Sequence, residues 1–361
     1  MSNFIRDNKQ ILFMPDATYG IVNSASWRDI SNTGTKAIVT NTLHLYMNAG
    51  DEYILSQGGF KKFTGWNGGV ITDSGGFQAY SLVKRGLGKM YDDKIEFINP
   101  RNGNKYTLTP EKSVDIQLNL RTDVVIALDD CIHPDSDKER TEKSVEKTTR
   151  WAKICKEHFQ KRLAEIQITE PDYDPMLFCV IQGGSDFELR KKSFTELADL
   201  GFDGFGFGGW PADTEGTFLD DLIKYNSELV LSLKDNPKYK DKHVFNYAMG
   251  VGYPEDIKKC IEWGYDLFDC VIPTRNARHG LLYSIENGKV IEVKIGNEKY
   301  TNDNTPVKED SEVEELRTTT KAYLKYLFKI KDPNALRIAT LNNLEVYNLI
   351  VSNNLLLDYH E

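Results

Sequence analysis

Eight short apolar runs, each leading into a break that contains glycine, aspartate or asparagine, most constrain how this chain can fold. They read ILFMPDA (11–17), KAIVTNT (36–42), GGVITDSGG (68–76), DVVIALDDC (123–131), LFCVIQGG (177–184), FGFGGW (205–210), YAMGVG (247–252) and LFDCVIPT (267–274). Amphipathic segments of helical period separate several of them, for example PEKSVDIQLNL (110–120) and PEDIKKCIEWGY (254–265). Strands that are apolar throughout and alternate with helices are typical of a parallel sheet buried on both faces.

Eight such runs favour an α/β fold of the (β/α)8 barrel type, with a doubly wound open sheet as the alternative that periodicity alone leaves open. Two segments, KIEFINPRNGNKYTLT (94–109) and LLYSIENGKVIEVKI (281–295), predict hairpin insertions around Asn-Gly turns. After residue 300 an acidic connector precedes a helical pattern. We therefore expect a barrel domain over residues 1–300 and a C-terminal helical subdomain over residues 301–361.

Composition narrows the class of protein. Hydrophobic residues make up 40% of the 361 residues, enough for a large core. The net charge of −9 argues against a generic nucleic-acid binder, although local basic surface can outweigh the sum. The polar start MSNFIRDNKQ, the lack of a long apolar run and five cysteines without C-x-x-C spacing predict a cytoplasmic protein, in a host cytoplasm if viral, with no membrane partner.

Polar side chains cluster where the predicted strands end, which is where barrel enzymes carry their chemistry. The residues at these ends are Asp73, Asp129, Asp130, Gln182, Gly208, Gly209, Met249 and Asp269. A single aspartate there more often caps a helix or fixes a turn. Acids converging from three strands repel one another and raise each other's pKa, a cost that a purely structural rim would avoid. Two carboxylates suit substitution at a glycosidic carbon, one as nucleophile and one as acid and then base, as in a retaining glycoside hydrolase.

Five motifs in a fixed order identify a family. DSGGFQ (73–78), VIQGG (180–184), GFDGFGFGG (201–209), MGVGYPEDI (249–257) and FDCVIPTRNARHG (268–280) resemble those of the tRNA-guanine transglycosylases, and NTLHL (41–45) and GWNGGVITDSGG (65–76) extend the match. The resemblance implies a (β/α)8 barrel. It also implies an enzyme that exchanges a guanine in nucleic acid for a free 7-deazaguanine base, such as preQ0 or preQ1, without a cofactor.

The resemblance also implies roles for individual residues. Asp269 would be the nucleophile that attacks C1′ of the nucleoside, and Asp73 would protonate the departing guanine and later deprotonate the incoming base. The expected base-binding residues are Asp129, Gln182, Gly208, Gly209, Trp210, Phe77 and Met249. Arg275 and Arg278 would contact the nucleic acid beside the reacting nucleotide. His44 is expected near the pocket, with no assigned role.

The C-terminal segment departs from the family pattern. Ser311, Val313, Leu316 and Asn342 stand where the tRNA enzymes carry three cysteines and a histidine that bind zinc, and none of them can serve as a thiolate or imidazole ligand. We therefore expect no metal. Packing by Leu316, Leu324, Leu327 and Leu344 is expected to hold these helices together.

Two further departures bear on the substrate. Arg317, Lys321, Lys325 and Lys329 recur at four-residue spacing and predict a basic stripe on one helix, either a phosphate track or a solvated face. Trp210 replaces a smaller aliphatic residue beside the base, which favours preQ0 or preQ1 over the bulkier queuine.

Several alternatives remain at this stage. The metal-free tail and a composition typical of an AT-rich genome slightly favour DNA as the substrate, in the manner of phage and bacterial relatives, with tRNA as the alternative. A non-catalytic partner subunit is a third reading, which the presence of Asp73, Asp129 and Asp269 opposes. Members of the family that the chain resembles often dimerise, so the resemblance implies a homodimer.

Overall fold

The computed structural model describes residues 3–8 and 10–352. Its strands, in chain order, are β1 (Leu12–Pro15), β2 (Ala37–Thr40), β3 (Gly69–Thr72), β4 (Gly88–Met90), β5 (Ile95–Ile98), β6 (Lys105–Leu108), β7 (Val124–Ile126), β8 (Met176–Ile181), β9 (Gly204–Phe207), β10 (Phe245–Ala248), β11 (Leu267–Cys270), β12 (Leu281–Glu286) and β13 (Lys289–Lys294). The eight strands that lie in the predicted apolar runs pair in parallel, in the order β1-β11-β10-β9-β8-β7-β3-β2.

The two ends of this sheet meet. Asp16, just after β1, forms a parallel bridge with Val39 of β2, and the Thr40 hydroxyl donates a 2.9 Å hydrogen bond to the carbonyl oxygen of Ala17. The sheet is therefore a barrel, which confirms the (β/α)8 prediction and excludes the open doubly wound sheet.

Helices alternate with the strands as predicted. They are α1 (Phe4–Asn8), α2 (Trp27–Asn32), α3 (Thr42–Asn48), α4 (Asp51–Ser56), α5 (Phe60–Thr64), α6 (Gly76–Lys84), α7 (Pro110–Asn119), α8 (Lys138–Gln167), α9 (Phe187–Leu200), α10 (Asp220–Leu231), α11 (Pro254–Glu262), α12 (Ile272–Arg278), α13 (Glu314–Thr318), α14 (Lys321–Lys329) and α15 (Pro333–Val351), with short 3-10 turns at Ser232–Asp235, Pro237–Tyr239 and Glu298–Tyr300. Across the described ranges, none of these helices combines the length and apolar character needed to cross a membrane.

Local chemistry explains where the helices begin. The Thr109 side chain accepts a hydrogen bond from the Lys112 N–H, and Pro110 occupies the first turn of α7, where its missing N–H costs nothing. The Asp137 carboxylate accepts from the Arg140 N–H at the start of the 30-residue helix α8. These caps satisfy backbone donors that a helix leaves unpaired at its first turn.

The core has two layers, one inside the barrel and one between the barrel and its helices. Strand β9 shows why both fill well. Gly204 and Gly206 face the interior, where a Cβ would come within 2.7 Å of the Phe178 ring and 2.6 Å of the Met249 sulfur. Phe205 alternates with them and packs in the outer layer. Glycine on one face of this strand therefore makes room for large side chains from its neighbours.

The hairpins lie where the sequence predicts them. β5 and β6 pair antiparallel and gain a third strand, β4, while β12 pairs with β13 across Asn287 and Gly288. Both turn residues have positive φ, 50° and 72°, as a two-residue turn with the twist of the strands requires.

The C-terminal helices pack on the barrel rather than standing apart from it. Helix α15 lies against α11, α12, β1 and β12. Leu316, Leu324, Leu327 and Leu344 are buried, which confirms the expectation that packing holds these helices. The domain boundary at residue 300 stays a prediction, and residues 353–361 lie outside the described residues.

A buried carboxylate on α15 bonds the loop that carries Ser311 and Val313, two of the four positions where the family pattern has zinc ligands. Glu345 accepts hydrogen bonds from the Ser311 hydroxyl at 2.7 Å and the Glu312 N–H at 2.8 Å, and the Lys308 ammonium lies 3.8 Å away. The Asn342 amide donates to the carbonyl oxygen of Tyr283. Among the described residues, no cluster of His, Cys, Asp and Glu could hold a metal ion.

The predicted basic stripe does not lie on one helix. Arg317 belongs to α13, which ends at Thr318, and Thr319 is extended. The Thr320 side chain then caps the start of α14, which carries Lys321, Lys325 and Lys329. The prediction was wrong because three consecutive threonines, of which Thr320 is a good N-cap, start a new helix instead of continuing the first.

Candidate active site

A cavity of about 620 Å³ opens at the carboxyl ends of the barrel strands. It brings together most of the predicted site residues. Those that line it are Asp73, Phe77, Asp129, Gly208, Gly209, Trp210, Met249, Asp269 and Arg275. The cavity is therefore where the parallel-barrel geometry predicts a site, and the sequence motifs converge on it.

Asp269 lies inside the barrel on β11 with one oxygen held and the other open. Its Oδ1 accepts hydrogen bonds from the Tyr247 hydroxyl at 2.7 Å and the Gly250 N–H at 3.0 Å. Within the described residues Oδ2 has no hydrogen-bond donor. Burial raises the pKa of Asp269 to about 6, while the bonds from Tyr247 and Gly250 oppose that rise. The carboxylate is thus oriented through one oxygen and exposes the second to the cavity.

Asp73 is fixed at the end of β3 by three donors. Its Oδ1 accepts from the backbone N–H groups of Thr42 (2.9 Å) and Gly75 (3.1 Å), and its Oδ2 accepts from the Asn41 amide at 2.5 Å. Burial nevertheless raises the pKa of Asp73 to about 7, with a further contribution from the negative charge of Asp16. A carboxyl group that titrates near neutrality can both give and take a proton, as a general acid and base must.

Asp129 and Gln182 form a hydrogen-bonded pair across the barrel from Asp269. The Gln182 amide donates to Asp129 Oδ2 at 2.8 Å, and the Ser74 hydroxyl donates to Oδ1 at 3.2 Å. Burial raises the pKa of Asp129 to about 6. Gln182 is fully buried, and its amide oxygen has no partner among the described residues. The structure thus shows Gln182 orienting Asp129, and direct contact of Gln182 with the base stays a prediction.

The adjacent acid, Asp130, points the other way. Arg140 donates two hydrogen bonds to its carboxylate, at 2.7 and 2.9 Å, and the Lys147 ammonium lies 3.5 Å from it. The charge of Asp130 is therefore balanced by cations within the protein, which indicates a structural role.

The two glycines after β9 are there for different reasons. A Cβ on Gly208 would lie 2.5 Å from the carbonyl oxygen of Ile181, so no larger residue fits. Gly209 has a φ of 94°, a conformation that L residues rarely adopt. The Gly208 N–H bonds the Ile181 carbonyl, whereas the Gly209 N–H has no acceptor within the described residues. Gly209 therefore offers a backbone donor to a ligand in the cavity.

Two aromatic side chains stand at the cavity mouth. The rings of Phe77 and Trp210 meet edge to face with centroids 5.6 Å apart, and both side chains are exposed. The Trp210 indole N–H donates to the carbonyl oxygen of Ile132 at 3.2 Å, which fixes the orientation of the ring. Met249 lines the wall at the end of β10. A flat heterocycle entering this cavity would pass between apolar surfaces.

Arg275 and Arg278 lie on α12, which follows the strand carrying Asp269. Arg275 is exposed and lines the cavity, and Arg278 is half-buried. Burial lowers the pKa of Arg278, although Asp16 opposes this effect. Within the described residues neither guanidinium forms an ion pair. Both cations are available to an anionic ligand.

Three of the four basic residues predicted as a stripe in the C-terminal segment form contacts within the protein. Lys325 pairs with Glu298 at 3.3 Å and donates to the carbonyl oxygen of Asn297, and Arg317 donates to the Ser311 carbonyl. Lys321 donates to the Thr305 hydroxyl at 3.2 Å. Their role in binding nucleic acid, together with that of Lys329, stays a prediction.

His44 lies outside the main cavity, in a smaller cleft that shares Gln78 with it. Its ring packs against Tyr19, with centroids 4.7 Å apart. Burial, with help from nearby Arg101, lowers the pKa of His44.

Sequence reasoning missed several residues that shape the site. Tyr247 and Gly250 hold Asp269, Asn41 holds Asp73, and Asp16 adds a fourth carboxylate to the cavity. Asn41 and Gly250 lie within the motifs NTLHL and MGVGYPEDI. For Tyr247 the signal was the two-residue period that puts it on the same face of β10 as Met249, and for Asp16 it was an acid near the end of the run ILFMPDA.

A (β/α)8 barrel whose cavity holds two carboxyl groups with pKa values raised towards neutrality, Asp269 and Asp73, has the features of an enzyme class that carries out substitution at a glycosidic carbon. Comparison with known proteins agrees. A sequence model of the family described as queuine tRNA-ribosyltransferase matches residues 7–353.

Curated relatives cover nearly the whole chain. The queuine tRNA-ribosyltransferase of Nitratidesulfovibrio vulgaris is 38% identical over 93% of this chain and 83% of its own. That of Blochmanniella floridana is 37% identical over 94% and 83%, and that of Actinobacillus pleuropneumoniae is 36% identical over 94% and 82%. The chain belongs to the queuine tRNA-ribosyltransferase family, whose enzymes are pentosyltransferases that exchange guanine.

Proposed function

We propose that this chain replaces a guanine in tRNA with a free 7-deazaguanine base through a glycosyl ester on Asp269. The observation that carries the proposal is the asymmetric hold on that carboxylate. Tyr247 and Gly250 both bond Oδ1, so Oδ2 is left facing the cavity. A carboxylate that only served the fold would have both oxygens bonded, as Asp130 does.

In the first half of the reaction, Asp269 Oδ2 attacks C1′ and forms a C1′–O bond while the C1′–N9 bond breaks. The bonding electrons leave with the guanine, and Asp73 supplies the proton that neutralises it. The pKa of Asp73 near 7 keeps much of this group protonated at neutral pH, which suits that role. The hydrogen bonds from Tyr247 and Gly250 to Asp269 hold the nucleophile in place before the substrate arrives.

In the second half, the incoming base gives a proton to the ionised Asp73, and its N9 attacks C1′. The C1′–O bond then breaks and returns the electrons to the Asp269 carboxylate. No external energy source is needed because the ester conserves the reactivity of the glycosidic bond. A single acid-base group serves both halves, since its proton leaves with one base and returns from the next.

The residues that recognise the base lie on the cavity wall opposite Asp269. Asp129 would accept hydrogen bonds from the N–H groups of guanine, and Gln182 keeps its carboxylate in place. The unpaired N–H of Gly209 would donate to the carbonyl oxygen of the base. Because 7-deazaguanines share this edge with guanine, the same groups would accept both the leaving and the incoming base.

Nucleic acid would reach the cavity through the unpaired Arg275 and Arg278. Their local positive charge fits phosphate despite the net charge of −9. The reacting carboxylates lie inside the barrel mouth, so the target nucleotide must leave its stack to reach them.

The departure of the C-terminal segment from the zinc pattern and the composition of the chain favour DNA as the substrate at the level of sequence. No contact in the described structure favours DNA, and the relatives that match over more than nine-tenths of the chain carry a tRNA activity in their names. We therefore propose tRNA as the substrate.

Incorporation of radiolabelled guanine tests the proposal. Purified protein is incubated with labelled guanine and either unmodified tRNA or DNA of matched composition, with Asp269→Asn as the inactive control. Label should enter tRNA only, and only with the unsubstituted protein. Label in DNA alone would reverse the choice of substrate. If the protein is folded and label enters neither tRNA nor DNA, base exchange is not its activity.

A further inference from the structure

Asp16 is a fourth carboxylate in the cavity, after Asp73, Asp129 and Asp269, and lies just after β1. Met14, two residues earlier, faces the barrel interior and pairs with Asp269 of β11. Because side chains on a strand alternate with a period of two, Asp16 faces inward on the same side and one layer closer to the mouth. Its bridge partner Val39 also lines the cavity. Asp16 therefore lies beside the nucleophile, on the strand next to it.

The fold does not satisfy this carboxylate. Its Oδ1 accepts a hydrogen bond from the Thr18 hydroxyl at 2.6 Å, and its Oδ2 has no donor among the described residues. The side chain is half-buried, and its negative charge adds to that of Asp73 and Asp269. The nearby Arg278 guanidinium offsets part of this charge but forms no ion pair with Asp16 among the described residues. The remaining repulsion among Asp16, Asp73 and Asp269 means that a purely structural role would be better served by a neutral side chain. The open oxygen indicates a donor supplied by the substrate.

The order of strands around the barrel indicates which part of the substrate carries this hydrogen-bond donor. Counting in either direction from β1, the strand opposite is β8, which leads into Gln182, and β7 beside it leads into Asp129. In the proposed function the base edge is read there, three to four strands away from Asp16. The anomeric carbon must meet Asp269 on β11, the immediate neighbour of β1. The sugar, and not the base, therefore lies on the side of Asp16.

We propose that Asp16 accepts a hydrogen bond from the 2′-hydroxyl of the reacting nucleotide and so makes the site selective for ribose over deoxyribose. This inference rests on the proposed exchange in tRNA and adds the group that reads its sugar. The 2′-hydroxyl is attached to the carbon next to C1′, and an ionised carboxylate is an acceptor only. Facing a deoxyribose, Asp16 would be desolvated without a donor, and sites built to bond a substrate hydroxyl reject analogues that lack it.

A substitution in the RNA isolates the interaction. Two synthetic stem-loops, identical except for guanosine or 2′-deoxyguanosine at the exchanged position, are compared with the unsubstituted protein, Asp16→Ala and Asp16→Asn. The exposed Asp235→Asn is the control for loss of one negative charge. The quantity measured is the ratio of kcat/KM for the ribose and deoxyribose substrates. The 2′-hydroxyl also changes the intrinsic reactivity of C1′, and it does so equally for every protein tested. The test is therefore how much this ratio differs between the unsubstituted protein and the Asp16 variants.

We expect Asp16→Ala to lower the ribose preference about tenfold or more, as loss of a hydrogen bond to a charged group does. Asp16→Asn, which keeps a neutral acceptor, should lower it less, and Asp235→Asn should not change it. The Asn variant also provides the test if the Ala variant does not fold. An unchanged ratio in both Asp16 variants would overturn the sugar-reading role while leaving base exchange intact. Absence of exchange on the all-ribose stem-loop would instead refute the proposed function itself.

Discussion

The Tyr247 hydroxyl donates a 2.7 Å hydrogen bond to Oδ1 of Asp269 from the neighbouring barrel strand. This bond does two things at once. It fixes the rotation of the carboxylate so that Oδ2 faces the cavity, and it favours the ionised form that can act as a nucleophile. Burial works against ionisation and is the larger influence on the pKa of Asp269.

Replacing Tyr247 should therefore shift the pH dependence of the reaction. Tyr247→Phe removes a bond that lowers the pKa of Asp269, so that pKa should rise above about 6. The acidic limb of the rate profile for ester formation should move to higher pH, with the rate at pH 6 reduced about tenfold. Single-turnover measurements across pH 5–8 check this. Tyr265→Phe, which removes a buried hydroxyl bonded to the Ile223 carbonyl, is the matched control and should leave the limb in place.

Asp269→Asn should make the protein more stable at alkaline pH while abolishing exchange. The folded state raises the pKa of this carboxyl from 3.8 to about 6, so the folded protein holds a proton that the unfolded chain releases. The wild type therefore loses stability as pH rises from about 4 to about 6. Asparagine keeps an oxygen for Tyr247 and Gly250 and has no charge to lose.

Denaturant unfolding measures this effect. At pH 8 the variant should exceed the wild type in free energy of unfolding by about 1–2 kcal/mol, after allowance for partial exposure of the group. At pH 4 the difference should largely disappear. An equal or lower stability of the variant at pH 8 would contradict the assignment of Asp269 as a charge that burial destabilises. The exposed Asp235→Asn serves as the control.

Glu345 is predicted to stabilise the C-terminal segment. Glu345→Ala leaves the Ser311 hydroxyl and the Glu312 N–H without their acceptor, which should cost about 2–4 kcal/mol of unfolding free energy. Glu312→Gln changes an exposed side chain beside it and should cost little. Thermal unfolding checks both variants, and a chelator should leave the wild-type midpoint unchanged. A chelator-induced fall would show that a metal, rather than Glu345, holds this segment.

Trp210 is predicted to limit the size of the incoming base. Its ring is fixed by the Ile132 carbonyl and packs against Phe77 at the mouth. Trp210→Leu should raise the use of queuine relative to preQ1 by about tenfold, whereas Trp210→Phe, which keeps a ring, should change it less. Competition between the two bases in the exchange assay measures the ratio. If the leucine variant showed the wild-type ratio, the size filter would lie elsewhere.

The barrel could be predicted because parallel strands buried on both faces must be apolar, and that pattern survives in every run from ILFMPDA to LFDCVIPT. Asp269 and Asp129 were visible for the same reason, since an acid inside or ending such a run is costly. Tyr247 was not, because a tyrosine in a buried strand also fits a core position. Asp16 was missed because one acid after a strand usually fixes a turn.

The basic stripe failed for a different reason. Four-residue spacing implies one face only if the helix is continuous, and the cap at Thr320 interrupts it. The orientation of Gln182 behind Asp129 likewise depends on the packing of three strands, which no local pattern records.

Isolation of the covalent intermediate is the most direct test of the central claim. Protein is mixed with tRNA in the absence of a free base, quenched in denaturant, and digested, and the peptide that carries the ribose is identified by mass spectrometry. The adduct should lie on Asp269, should disappear on adding a free base that completes the exchange, and should be absent in Asp269→Asn. An adduct on another residue, or undiminished exchange by Asp269→Asn, would contradict the account.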